Sequence, residues 1–274
     1  MVRIAVGQLE PVFGDVRTNI IQSTNAVRSA HAQGANIVVL PELISSGYKF
    51  GDREELEAVS ETAGEGPATR AWQELADELG LVIVAGFSER ADAEFYNSAY
   101  MAVPGSDPLV YRKTHLWDEE KLYFQPGNTG FPVVETEWGR LGMLICYDGW
   151  FPESYRSLAA QSVDIVCVPT NWVPIPGQRD AAPAMATTLT MAAAHINGVA
   201  IAAADRVGVE RGQQFIGQSI ICAATGWPVA GPADATTVAM LFADVNLEEI
   251  RSGRSWGAFN NPSQDRRPDQ YLGM

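Results

Sequence analysis

Short apolar, β-branched runs recur along the chain, separated by stretches in which apolar residues return every three or four positions. The runs RIAVGQ, ANIVVLPE, LVIVAGF, YNSAYMAV, RLGMLICYD, VDIVCVPTN, GVAIAAAD and QSIICAAT read as strands. Between the first two, residues 15–33 carry Val16, Ile20, Ile21, Ala26, Val27 and Ala30 on an approximate helical stripe. Residues 69–80 and 151–162 read in the same way, with Gly80 closing the former. Alternation of strand and helix predicts an α/β protein. The strand candidates within 81–103 and within 198–229 follow one another with no helix between them, so some pairing must be antiparallel and the sheets mixed. A layered sandwich with helices outside two sheets fits this order better than an eightfold barrel. No internal repeat, low-complexity linker or break in composition divides the chain. The expectation is one domain over 1–274, with the polar, proline-containing stretch 252–274 as an irregular C-terminal arm.

At 274 residues and 46% apolar content, the chain can bury one large core. Nineteen basic against thirty-three acidic residues give a formal charge of −14, which repels phosphate backbones and anionic lipid, so neither nucleic acid nor membrane is expected as a partner. The start MVRIAVGQLEP lacks the basic and long apolar regions of a secretory signal, and no apolar run reaches the roughly 20 residues needed to cross a bilayer. A cytoplasmic protein is expected. Cys146, Cys167 and Cys222 are too few and too scattered for a disulfide framework, and none belongs to a C-x-x-C pair.

In LGMLICYDGWFPE an apolar strand ends at Cys146 and a helix is expected near Pro152, because proline favours a first helical turn. Cys146 then lies on the connecting turn, with the Tyr147 N–H aimed at whatever bonds to the sulfur. Burial as a small core residue is the commoner fate of a free cysteine, and Cys167 and Cys222, inside apolar runs, fit it. A nucleophilic thiol needs a base. His31 falls in a surface helix, His115 follows a strand and His195 lies in an alanine-rich helix, and none is placed convincingly for that role. Glu42 ends ANIVVLPE at a strand exit, where partial desolvation would raise its pKa and let it accept a thiol proton. Lys113, after the strand-like PLVYR, offers a fixed positive charge for an oxyanion or thiolate. Glu120 stands in the aromatic-rich WDEEKLYFQPGN. Taken singly, each of these three is compatible with an ordinary surface residue.

Taken in order, PELISSGY, YRKTHLW, EKLYFQPGN and ICYDGWFPE resemble the glutamate, lysine, second-glutamate and cysteine motifs of the carbon–nitrogen hydrolases of the nitrilase superfamily. GQLEPVFGDVRTNI, YNSA, FIGQSIICAATG and RRPDQY extend the likeness over nearly the whole chain. The resemblance implies a four-layer αββα sandwich, a homodimer or higher oligomer built through helices and the C-terminal arm, and neither metal nor organic cofactor. It assigns Glu42 as base, Cys146 as nucleophile, Lys113 and the Tyr147 N–H as oxyanion donors, and Glu120 as the group orienting Lys113 and the substrate.

Family branches that take ω-amides of dicarboxylates carry an arginine where this chain has Trp150. With Trp172 and Asn171 of NWVP and Tyr48 of the glutamate motif, Trp150 forms the expected substrate-binding set, suited to an uncharged or cationic, apolar-bodied small molecule. Trp150 and the tail also resemble the N-carbamoylputrescine amidohydrolases. Gly149, however, replaces a bulkier residue of that branch, and AAPAMATTLTMAAAHING supplies no acidic group for a diamine. The C-W-E wording of true nitrilases is absent, since Tyr147 and Asp148 follow Cys146. An amidase for small neutral aliphatic or aromatic carboxamides is the expected function. A carbamoyl amidohydrolase, an ω-amidase, a nitrilase and an inactive scaffold of the same fold are the alternatives.

Overall fold

The computed structural model describes residues 1–178 and 183–271. Strand β1 (Val2–Gln8) leads through helix α1 (Val16–Ala32) to β2 (Ile37–Val39), then through α2 (Arg53–Val59) and α3 (Pro67–Leu79) to β3 (Val82–Ala91), β4 (Glu94–Ala102) and β5 (Leu109–Arg112). After a single helical turn, α4 (Glu120–Tyr123), the chain enters a second sheet through β6 (Val133–Thr136) and β7 (Gly139–Met143). Helix α5 (Pro152–Ala160), β8 (Ile165–Pro169), α6 (Met185–Asn197) and β9 (Ala200–Ala204) follow. A small hairpin, β10 (Val209–Glu210) with β11 (Gln213–Gln214), precedes β12 (Ile220–Cys222) and β13 (Pro228–Ala230); β14 (Ala239–Val245) then returns to the first sheet and α7 (Leu247–Ser252) opens the arm.

The sheets run β14-β1-β2-β3-β4-β5 and β13-β12-β9-β8-β7-β6. In each, three neighbouring strands are parallel and the flanking ones antiparallel, so the sheets are mixed as the helix-free strand runs require. Period-two alternation explains the layering. Ile37, Val39, Val82 and Val84 join Met143, Ile165, Cys167 and Ile201 of the other sheet in one core, while Val38, Leu40, Ile83 and Ala85 pack with Val27, Trp72 and Leu75 of α1 and α3. Helices α5 and α6 cover the outer face of the second sheet, completing four layers, αββα.

Three local features depart from the sequence reading. The strand expected to run up to Cys146 stops at Met143. β14 pairs along all of β1 but is only half-buried over most of its length, and its pattern is correspondingly weak. The buried stripe of α1 is Asn19, Ser23, Val27 and Ala30, with Ile21 turned to solvent. Polar residues occupy that stripe because each finds a partner there: Asn19 bonds Val12 on both backbone groups, and Ser23 accepts the Trp72 indole N–H at 3.0 Å. The arm begins on a buried carboxylate, Asp164, which holds Arg251 at 2.7 Å and Arg254 at 2.9 Å. Among the described residues no helix is long and apolar enough to cross a membrane.

Candidate active site

The carboxyl ends of β2, β7 and β8 converge, as sites in open α/β sheets do. β2 leads to Glu42, β7 to Cys146 and β8 to Asn171 and Trp172, while β5 delivers Lys113 from the side. The Glu42 N–H donates to the Thr170 carbonyl at 3.3 Å, joining the two sheets directly beneath the site.

Lys113 is fully buried, and its Nζ donates to Glu42 Oε1 at 2.6 Å and to Glu120 Oε1 at 2.7 Å. Asn97 donates to the same Glu42 oxygen at 2.7 Å. Tyr48 donates to Glu120 Oε1 at 2.7 Å and the Trp117 N–H to Glu120 Oε2 at 3.2 Å. Glu42 Oε2 is buried with no hydrogen-bond partner. Burial, with a smaller push from Glu120, outweighs the pull of Lys113 and raises Glu42 to about 6. Burial works against the Lys113 charge, but Glu120, Glu42 and Cys146 together overcome it and hold the ammonium above its ordinary value. The cluster thus has one carboxylate oxygen free to take a proton beside a cation that does not give one up.

Cys146 opens the tight 3₁₀ turn Cys146–Trp150 with φ +44°, a left-handed conformation uncommon for a residue with a side chain. Burial raises its thiol most and Glu42 raises it further, while Lys113 and a hydrogen bond from the Asn171 backbone N–H pull the other way. The proton therefore rests on sulfur. Cys167 and Cys222 lie inside β8 and β12, and burial pushes both to about 12.

The turn is fastened by Asp148, wholly buried. Its Oδ2 accepts from Tyr111 Oη at 2.8 Å and from the Ile145 N–H at 3.1 Å, and its Oδ1 accepts from the His115 N–H at 2.9 Å. These donors flank Lys113 and Cys146, so one carboxylate ties both segments together. The His115 ring lies 2.8 Å from the same Oδ1 and stacks on Phe151, a setting unlike that of a base for the thiol. Close backbone approach adds to the positioning. A Cβ on Gly86 would stand 2.5 Å from Glu42 Cα, and one on Gly127 would stand 2.0 Å from the Arg112 carbonyl oxygen, beside Lys113.

A narrow cleft opens above the thiol, lined by Trp117, Tyr147, Trp150, Asn171, Trp172 and Ile216 among others. None of the described residues lining it is charged. Trp150, Trp172 and Asn171 line this cleft, and Tyr147 stands beside Cys146. Tyr48 lines instead an adjoining cavity, its hydroxyl taken by Glu120. Asn97, Trp117 and Asp148 escaped assignment from sequence, although Asn97 stands in the YNSA segment and Asp148 two residues past the cysteine. Of the cations that could serve an anionic substrate, Arg206 is buried against Glu210 at 2.6 Å and packs on Phe215, and Arg179 lies outside the described residues. Among the described residues, no group of three or more His, Cys, Asp or Glu side chains is arranged to hold a metal ion.

Two mixed sheets between helical layers, with Glu42, Lys113 and Cys146 gathered beyond strand ends and Glu120 joining them from the start of α4, define a nitrilase-superfamily hydrolase. More narrowly, the chain belongs to the carbon–nitrogen hydrolase family, whose model matches residues 3–255. It is 35% identical to a nitrilase of Pyrococcus abyssi over 99% of this chain and 100% of the relative. It is 38% identical to an N-carbamoylputrescine amidase of Arabidopsis thaliana over 94% of this chain and 90% of the relative. Among solved structures, an amidase from Nesterenkonia sp. AN1 with acrylamide added at its active-site cysteine superposes with a TM-score of 0.79 and 26% identity, covering 98% of each chain.

Proposed function

We propose that the chain is an amidohydrolase that cleaves terminal –CO–NH₂ groups of small, uncharged, apolar-bodied molecules through a thioester on Cys146. The observation that carries this reading is the unpartnered, buried Glu42 Oε2, on a carboxylate raised to about 6 and electrostatically coupled to a thiol that keeps its proton. Glu42 takes that proton as sulfur attacks the carbonyl carbon. Lys113 and the Tyr147 N–H hold the oxyanion, and losing one such donor commonly costs about 3–4 kcal/mol. Ammonia leaves with the transferred proton, and a water activated by Glu42 then releases the acid. Glu120 keeps Lys113 aimed, because two carboxylates grip its ammonium from different directions.

The aromatic, uncharged lining of the cleft supports neutral aliphatic or aromatic carboxamides as substrates. Likeness to a relative named for a carbamoylated amine supports a second reading, in which the same –CO–NH₂ is borne on nitrogen. The exposed apolar residues Ile196, on α6, and Phe259, in the arm, support the homodimer that the resemblance implies, built through helices and the C-terminal arm. The substrate reading is tested by ammonia release from butyramide, benzamide, succinamate, α-ketoglutaramate and butyronitrile at one pH and salt. Neutral amides lead if it holds; leadership by the nitrile or by the dicarboxylate monoamides contradicts it.

A further inference from the structure

Asp205, the first residue past β9, is a wholly buried acid that the chemistry above does not use. Its Oδ1 accepts two bonds, from the Trp172 N–H at 2.7 Å and from the Thr170 hydroxyl at 3.0 Å, while Oδ2 has no hydrogen-bond partner. Among the described residues it forms no ion pair, since Arg206, next in the chain, turns to Glu210. Burial holds its carboxyl well above the usual carboxylate range; the bonds from Trp172, Thr170 and the Arg206 N–H pull down by less, and Glu42 adds to the rise. The pattern is that of a neutral acid, in which Oδ1 is the carbonyl oxygen serving both donors and Oδ2 carries the proton.

Asp205 is itself held. Its N–H donates to Ser219 Oγ at 2.8 Å, the Ser219 N–H donates to Gln8 Oε1 at 3.0 Å, and Gln8 Nε2 donates to the Asp234 and Thr237 carbonyls at 2.6 and 2.8 Å. What it holds in turn is the segment from Thr170 to Trp172, which touches both reacting groups. The Thr170 carbonyl accepts the Glu42 N–H at 3.3 Å, and Asn171, between the two residues bonded to Asp205, gives its backbone N–H to the sulfur of Cys146. Asn171 and Cys146 also line the same cleft.

We propose that Asp205 is a positioning residue for the thiol chemistry: by gathering the Thr170 hydroxyl and the Trp172 N–H on one oxygen, it keeps the Asn171 N–H directed at the Cys146 sulfur. The proposal rests on Cys146 being the nucleophile of the amidohydrolase reading above. That N–H serves whenever sulfur carries negative charge, as the thiolate before attack and as the leaving group when the thioester is hydrolysed. Without Asp205 the Trp172 N–H and the Thr170 hydroxyl are left buried and unpaired, and the segment shifts to satisfy them.

The test compares the wild type with Asp205→Asn, Asp205→Ala and Thr170→Val. Two quantities are read: kcat for butyramide, and the pH at which alkylation of Cys146 by iodoacetamide, followed by the mass of its peptide, reaches half its limiting rate. Glu42, Lys113 and Glu120, the charged groups facing the sulfur, are unchanged in every variant. Asp205→Asn keeps a carbonyl oxygen for both donors and should leave both quantities close to wild type. Asp205→Ala should lower kcat at least about tenfold and raise the alkylation midpoint by about one pH unit, as expected from losing one hydrogen bond to an ionised group. Thr170→Val keeps the shape without the hydroxyl and should move the midpoint the same way by less. A midpoint unmoved in Asp205→Ala, or in Thr170→Val where the alanine variant does not fold, overturns the positioning role. So does a shift in Asp205→Asn equal to that of Asp205→Ala. Alkylation needs no substrate, so a wild type that alkylates at Cys146 but releases no ammonia from any amide overturns the amidohydrolase reading and leaves the role of Asp205 to the alkylation midpoints.

Discussion

The two six-stranded sheets share one pairing order, antiparallel, parallel, parallel, antiparallel, antiparallel, yet they bring opposite kinds of side chain to the site. The first sheet and the loop after β5 supply a charged wall, Glu42, Lys113 and Glu120, braced by Asn97. The second supplies a neutral wall of Cys146, Trp150, Asn171 and Trp172. No repeat shows in the sequence because the halves share strand order rather than side chains. Proton transfer is assigned to one wall and recognition to the other, so substitutions on the two should have different signatures.

The largest effects belong to the charged wall. Glu42→Gln and Lys113→Ala should each lower kcat by at least about a hundredfold, and the double variant should lose far less than the product, as groups acting as one unit do. Multiplicative losses would place one of the two outside the unit.

On the neutral wall, an anion meets no cation among the described cleft residues, and leaving a charge uncompensated on burial costs several kcal/mol. Butyramide should exceed succinamate in kcat/KM by at least about tenfold, since each buried methylene contributes about 0.8 kcal/mol without opposing desolvation of charge. Trp150→Arg should narrow that gap by rescuing the anion. An unchanged gap would mean that position 150 does not face the substrate's tail.

The smallest and most general effect is in pH. Glu42 is raised to about 6 chiefly by burial and must be a carboxylate to accept the thiol proton, so activity is present above that value and lost as pH falls through it. The kcat/KM profile should show an acid limb near pH 6. A limb near the ordinary value of 4.5 would argue for a more solvated base.

Glu42, Lys113 and Cys146 were legible because each follows an apolar strand and stands in recognisable wording. The depth of the cluster was not. A partly desolvated Glu42 was expected and a wholly buried one is found, because burial depends on what the second sheet lays over it. Asn97 meets Glu42 across 55 positions and Asp148 meets Tyr111 across 37, distances over which no local pattern carries information. Trp117 reads as one aromatic in an aromatic loop, and only the fold sets it across the cleft. The strand pattern was clear where both faces are buried, as in β2 and β3, and faint in half-buried β14.

The central claim is that sulfur of Cys146, and of neither other cysteine, becomes acylated. Acid quenching during steady turnover of benzamide, followed by peptide mass spectrometry, tests it most directly. The account predicts a benzoyl mass increment on the peptide containing Cys146, none on those containing Cys167 or Cys222, and loss of both adduct and ammonia release in a folded Cys146→Ala variant. An adduct on Cys167 or Cys222, or turnover that survives in Cys146→Ala, would contradict it.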